Sequence, residues 1–260
     1  MEHYFFPRPI STGAITMTTS GIIFVLAGLV LLFTLGLTIL NMILTLAGFV
    51  QLFLGIRSMY LIKKSNPGDE DFDQWLEQQA MAMMPRAMRQ LNLNHSEITS
   101  QILCIHSVIL PGSSLAQDYR DEVFILQGKD GQWRTSVNLY TYFFPTEQFI
   151  AMCTCDVNAC RQTISSEYQT EEYFYRDIIS ASFSIFQEAV EIAGMGYPYR
   201  VQQLSFRISN GDDIRLGAYL SAIPLDRGHG VPTIILPDVH INQTLADLRG
   251  LLRSKKQRSR

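Results

Sequence analysis

The sequence predicts a membrane α-hairpin followed by an α+β soluble domain, an antiparallel barrel or sandwich of about seven strands closed by a C-terminal helix. Three observations lead there. Residues 21–62 are almost wholly apolar, with Arg57 as the one formal charge. After residue 96 the chain breaks into short runs rich in Ile, Val, Phe and Tyr, separated by Gly, Asp and Asn. Near the end Leu245, Leu248, Leu251 and Leu252 fall on one helical face.

The apolar stretch fixes the first element. About 20 apolar residues cross a bilayer core, and this run is roughly twice that. As one helix it would be about 60 Å long, too much for tilt to absorb. Two spans, residues 15–37 and 39–62, with a short turn at 36–41 are expected. The preceding residues 1–14 lack the basic cluster and short apolar core of a signal peptide. Lys and Arg set the orientation. Arg8 precedes the first span, and Arg57, Lys63 and Lys64 close the second, while the turn carries no basic residue. Both ends are therefore expected on the cytoplasmic side of the plasma (inner) membrane. On that side the sequons at Asn94 and Asn242 are chance matches.

Small and polar residues recur every seven positions along the hairpin: Ala27, Thr34, Asn41, Gly48 and Gly55, with Gly21 and Gly28 at the same spacing. Such a strip lets helices approach closely. Gln51, mid-span, needs a hydrogen-bonding partner within the hairpin or on a second copy. The spans hold no carboxylate or histidine, which argues against a proton relay.

Residues 63–95 read as a linker and an amphipathic helix. Ser65-Asn66-Pro67-Gly68 is turn chemistry. Asp69, Glu70, Asp71 and Asp73 suit the positive end of a helix dipole. Phe72, Trp75, Leu76, Ala80 and Met83 share a face, and Pro85 interrupts the helix or opens a second one. Met81, Met83, Met84 and Met88 fill a core or form an adaptable contact surface.

Strands are expected at 98–110, 122–127, 133–144, 149–154, 172–175, 178–181, 203–209 and 214–221. Gly128-Lys129-Asp130-Gly131 and Asn210-Gly211-Asp212 are hairpin turns. Asn242 is placed to cap the last helix. The order of membrane hairpin, antiparallel strands and terminal helix, with Glu171-Glu172-Tyr173-Phe174-Tyr175-Arg176-Asp177-Ile178 at mid-sheet, resembles bacterial membrane proteins carrying a pleckstrin-homology-like domain. The resemblance covers Ile98–Lys256, within a β-rich domain read as residues 96–256, and implies a non-catalytic scaffold or recognition module. Segments 182–199 and 224–237 depart from it, and the first has room for a short helix.

Candidate chemistry is sparse. Net charge is −3 and the isoelectric point near 6.0, which gives no footprint for nucleic acid. Four cysteines in 260 residues are too few for a disulfide scaffold. Cys153, Cys155 and Cys160 with Cys104 offer four sulfurs, but C-x-C is not a zinc knuckle, and on a strand Cys153 and Cys155 are small fillers of one face. Asp226, His229, Asp238 and His240 lie in a loop that fixes no geometry. Ser113 and Ser114 lack the strand-turn-helix of a nucleophile elbow, and Gly194-Met195-Gly196 lacks a third glycine. No catalytic residue, metal ligand, cofactor or small-molecule substrate is assigned.

The tail, Arg253, Lys255, Lys256, Arg258 and Arg260, is basic. It reads as a solvated terminus that also makes weak contact with anionic lipid. With Arg57, Lys63 and Lys64 these cations are the expected membrane-surface contacts. The sequence thus points to a two-span, multi-pass anchor or scaffold that binds the bilayer and a protein partner or a second copy. A metal-dependent enzyme and a pore subunit are the other function classes.

Overall fold

The computed structural model describes residues 1–35, 39–113, 123–161, 168–192, 195–209, 211, 213–219, 222–223, 234–235 and 241–258. The chain divides into two compact units, Glu2–Gly68 and Asp69–Arg260, the second also taking Met1.

The first unit is helical: α1 (Glu2–Phe5), α2 (Thr12–Leu35) and α3 (Ile39–Ser65). The stretches Thr12–Thr34 and Ile39–Ser65 are long and apolar enough to cross a bilayer. Only 11% and 17% of their apolar windows are buried, which separates them from the core helix of a soluble fold. Their outward residues, among them Ile23, Phe33, Leu40, Leu46 and Phe53, are exposed. The unit's ends are tied together. Asn66 accepts from the Arg8 amide at 3.0 Å and donates to the Arg8 carbonyl at 3.4 Å.

The second unit opens with α4 (Asp69–Gln90), one continuous helix with Pro85 inside it. Proline leaves the carbonyl four residues back without its helical partner. One residue from that carbonyl, the Tyr142 hydroxyl donates to the Ala80 carbonyl at 2.6 Å. Asn92 ends the helix. Its φ of 53° lies in the left-handed region, and the Asn92 and Leu93 amides bond back to the Arg89 and Met88 carbonyls. Met83 and Met88 are buried while Met81 is exposed.

The strands are β1 (Leu103–Val108), β2 (Ile125–Gln127), β3 (Trp133–Thr135), β4 (Val137–Pro145), β5 (Phe149–Asn158), β6 (Tyr168–Phe174), β7 (Ile178–Ile192), β8 (Met195–Ile208), β9 (Asp213–Tyr219), β10 (Ala222–Ile223) and β11 (Ile234–Ile235), followed by α5 (Ile241–Arg258). They form a four-stranded sheet in the order β1-β4-β5-β6, a three-stranded sheet β7-β8-β9, and the pairs β2-β3 and β10-β11, all antiparallel.

Besides the continuity of α4 through Pro85, where an interruption or a second helix is expected, three expectations need correction. Among the described residues no barrel closes. The chain changes sheets at the corner 175–177, where the Tyr175 amide bonds to the Gln148 carbonyl and the Asp177 carbonyl accepts from Ser209. Residues 182–199 form no helix where they are described. They belong to β7 and β8, paired from Ile178↔Ile208 out to Ile192↔Met195. The strand expected at 133–144 splits at Ser136. Its amide bonds to Phe124 on the β2 side, while its carbonyl accepts from Ala159 at the end of β5.

The main core lies between the two larger sheets and α5. Leu103, Ile105, Phe143, Ile150 and Met152 meet Ile178, Leu204 and Phe206, with Leu248 and Leu252 from α5. The alternate residues of the four-stranded sheet, including Tyr140, Tyr142, Cys153 and Cys155, are on its other face, where Cys155 meets Met83 of α4.

Candidate functional site

Two features of the molecule are built closely enough to carry function: the seam of the hairpin and the basic side of the sheet domain.

In the seam, α2 contributes buried Ala14, Gly21 and Gly28, and α3 contributes buried Asn41, Gly48 and Gly55. Both sets recur at seven residues, the period of a left-handed helix pair. The backbones nearly touch. A Cβ added at Gly21 would lie 2.6 Å from the Leu52 amide nitrogen, one at Gly48 2.7 Å from that of Val25, and one at Gly55 2.8 Å from that of Thr18. At Gly28 it would collide with the Thr45 side chain. Asn41 donates to the Leu31 carbonyl at 3.4 Å, and Gln51 accepts from the Ser20 hydroxyl at 3.3 Å, so both amides have partners inside the hairpin.

Ala27 and Thr34 are exposed, and Thr34 bonds to its own helix at the Val30 carbonyl. The structure does not bring them to the strip as expected. A heptad count carried through a chain reversal loses its phase. Ala14 completes the α2 set; it lies just before the expected start of the span at residue 15 and so fell outside the strip.

Among the basic residues, Arg57, Lys63, Lys64 and Arg253 are exposed. Lys255 is held against the sheet domain. Its ammonium donates to Thr99 Oγ1 and to the Thr146 carbonyl, each at 2.9 Å, and lies 5.6 Å from the Tyr175 ring centre. It ties α5 to the edge of the four-stranded sheet. The side chains of Lys256, Arg258, Asn242 and Leu245, and Arg260 as a whole, lie outside the described residues. So do residues 36–38, Ser114, Gly194, Asn210 and Asp212, and all of Asp226, His229, Asp238 and His240.

The sheet domain holds ionisable groups in specific surroundings. Arg134, 2% exposed, is gripped by two carboxylates: Asp73 of α4 at 2.7 and 2.8 Å, and Asp130 of the β2–β3 turn at 2.8 and 3.0 Å. The hydrogen bonds from Arg134 draw the Asp130 carboxyl down to about 2. Beside it Asp69 accepts from the Lys129 amide at 2.7 Å. The two aspartates thus bind the first turns of α4 to the β2–β3 turn. In the sequence the available signal is an arginine between Trp133 and Thr135 in a run that reads as strand.

His106 lies flat on Tyr140, ring centres 4.5 Å apart and planes 7° from parallel, with Nε2 2.9 Å from Asn138 Oδ1. Asn138 Nδ2 already donates to the Thr135 carbonyl, so its oxygen faces the imidazole and Nε2 carries the proton. Burial pushes the imidazole down to about 4.

The thiols are packed rather than activated. Cys153 and Cys155 are buried, and Cys155 Sγ lies 3.4 Å from Met83 Sδ. Burial pushes Cys104 up to about 12 and Cys153 to about 11, and raises Cys155 further. Nucleophilic cysteines have lowered values, so none of these is poised for attack. In register Cys104 and Cys153 flank Tyr142 from opposite sides. Among the described residues no three His, Cys, Asp or Glu side chains form a metal-binding group.

A cleft of about 430 Å³ opens between the start of β7 and α5. Tyr175, Ile178, Ile179, Ser180 and Ala181 form one wall, and Arg249, Leu252 and Arg253 the other. Arg249 was not singled out from sequence because the leucine stripe defined that helix.

No protein-family model matches the chain, and no curated protein or solved structure is significantly similar to it.

Proposed function

We propose that the protein is an integral membrane anchor, crossing the plasma (inner) membrane twice with both ends in the cytoplasm, whose sheet domain holds a protein partner or the lipid surface without catalysis. One observation carries this reading. α2 and α3 pack backbone against backbone and leave their large apolar side chains facing outward. An apolar surround such as bilayer hydrocarbon makes such an outer surface favourable.

The cations favour the orientation. Arg8, Arg57, Lys63 and Lys64 stand on the side of the hairpin away from its turn, where the positive-inside rule places the cytoplasm. Asn66, Pro67 and Gly68 alone separate α3 from α4, so at most about 10 Å of extended chain joins the second span to the sheet domain. A domain on so short a tether works at the membrane surface.

The pleckstrin-homology-like reading is supported by the two larger sheets and the terminal helix, with β2-β3 and β10-β11 as additions that bring the described strands to eleven rather than about seven. A four-stranded and a three-stranded antiparallel sheet share one core, and a terminal helix inserts Leu248 and Leu252 into it. Among the described residues the sheets do not close, which separates this domain from a regular barrel of that kind.

Protease accessibility of a C-terminal tag on the full chain tests the proposal. The tag is expected to be protected in intact cells and cut only after the membrane is opened. Cleavage from outside would overturn the orientation and with it the docking role. Stoichiometric zinc in the purified protein, lost in C153S/C155S, would move the assignment to a metal enzyme.

A further inference from the structure

The Gln51 amide is half-buried and only partly satisfied. It lies about 18 Å from the Ile39 end of α3 and about 21 Å from the Ser65 end, in the middle of the span. Five threonines of the spans, Thr16, Thr18, Thr19, Thr34 and Thr45, each return a hydroxyl to a carbonyl of their own helix. Gln51 has no such closure. Its one hydrogen-bond partner among the described residues is Ser20. That hydroxyl has a single proton to share between Gln51 Oε1 at 3.3 Å and the Met17 carbonyl at 3.2 Å. If the proton goes to Oε1, both amide N–H groups are left over. If it goes to Met17, the amide turned end for end donates one N–H to Ser20 Oγ and keeps one N–H and its carbonyl. Either way polar groups are left unmet at mid-bilayer, where no solvent can bond them.

A second copy supplies what is missing. Copies inserted in one orientation hold Gln51 at the same depth, and a two-fold axis along the membrane normal brings one amide to its image. In the second arrangement the amide is self-complementary: each copy offers one N–H and one carbonyl, so two of them close a reciprocal pair. Any other partner would need its own unmet polar group at that depth. The surroundings allow the approach. Ala47, one turn before Gln51, and Ala27, seven residues beyond Ser20, are both exposed, and both lie on the turn side of the amide. We propose that the hairpin pairs with a second copy of this chain within the membrane, Gln51 bonded to Gln51 across the axis, with Ala27 and Ala47 against the partner's helices. This inference rests on the membrane reading above and names one partner for it.

The test uses the full chain, labelled at its amino terminus with an energy-transfer donor or acceptor and reconstituted in phosphatidylcholine vesicles over a range of lipid-to-protein ratios. Flotation with the vesicles is scored first, and protein that does not float would overturn the membrane reading itself. For protein that floats, transfer that saturates as lipid is withdrawn is expected, with association about tenfold weaker in Gln51→Leu. Phe53→Leu, two residues on and 65% exposed, is expected to associate like the parent. Oxidative cross-linking reads the geometry. Ala47→Cys is expected to give a disulfide-linked dimer above the parent's background, and Phe53→Cys none. Transfer in the parent no greater than random proximity gives, equal association by Gln51→Leu, an equal loss in Phe53→Leu, or equal cross-linking at positions 47 and 53 would each overturn the pairing while leaving the two-span reading intact. The hairpin's orientation is read separately by tag protection, and an inverted hairpin still pairs.

Discussion

Gly48 of α3 lies under Val25 of α2 so closely that a methyl group on its α carbon would come within 2.7 Å of the Val25 amide nitrogen. The obstacle is backbone, so a rotamer change cannot relieve it and the helices must separate. Overpacking of this kind costs about 1–3 kcal/mol. Gly48→Ala is therefore expected to destabilise the hairpin by roughly that amount, read from denaturation in detergent. Gly250 in α5 meets nothing within 4 Å, so Gly250→Ala is expected to stabilise by about 0.5–1 kcal/mol through helix propensity alone. Equal effects at the two positions would mean that the seam is not closely packed.

The Arg134 cluster should respond unequally to loss of its partners. Arg134 is buried, whereas the Asp73 and Asp130 side chains are 49% and 39% exposed. Removing both carboxylates takes two counter-charges from a buried cation, a change that costs about 3 kcal/mol. Removing the cation releases two carboxylates to water. D73A/D130A is thus expected to be much more damaging than Arg134→Met, whose apolar chain can occupy the same space at a cost of about 1 kcal/mol. Urea unfolding of the three proteins checks the order, and a reversed order would mean that the guanidinium is more hydrated than the structure has it.

What was legible in the sequence was what periodicity encodes. The two long apolar helices, the acidic start of α4, the β2–β3 turn and the inward Leu248 and Leu252 of α5 are local patterns, each read within a few turns of chain. What was missed is long-range. Phe124, Ser136 and Ala159 are brought together only by the sheets, so nothing near Ser136 announced that one strand would divide. The continuity of α4 through Pro85 depends on burial of Met83, Ala87 and Met88 around it. A proline's cost can be offset by packing that no single segment displays. Of the site residues, the α3 glycines followed from spacing. The partners of Arg134 and the docking of Lys255 onto Thr99, far away in the chain, could not.

Lys255 offers a local test of how α5 is held. Its ammonium makes two hydrogen bonds at 2.9 Å and a cation–π contact with Tyr175. Hydrogen bonds from a charged donor at a partly buried site contribute about 1.5–3 kcal/mol. Lys255→Ala is expected to raise hydrogen exchange along α5 while leaving the amides of β4 and β5 protected. Uniform acceleration over the domain would show that α5 and the sheets open as one unit.

His106 should make the domain sensitive to mild acid. Its imidazole falls from the ordinary 6.5 to about 4 because burial disfavours the charged ring. The unfolded chain therefore takes up the proton first as pH drops. Stability that is complete above pH 6.5 declines towards pH 4, by at most about 3 kcal/mol for this one group. Asp130 acts in a separate window. Its lowered carboxyl keeps its stabilising contribution above the ordinary 3.8 and loses it only as pH falls towards 2. Glutamine at position 106 can still donate to Asn138 but does not titrate. Thermal midpoints of the parent protein are thus expected to fall between pH 6.5 and 4, while those of His106→Gln stay nearly level over that interval and decline only below it. Parallel curves for the two proteins would show that the imidazole is already solvated, and that the flat stack on Tyr140 does not shield it.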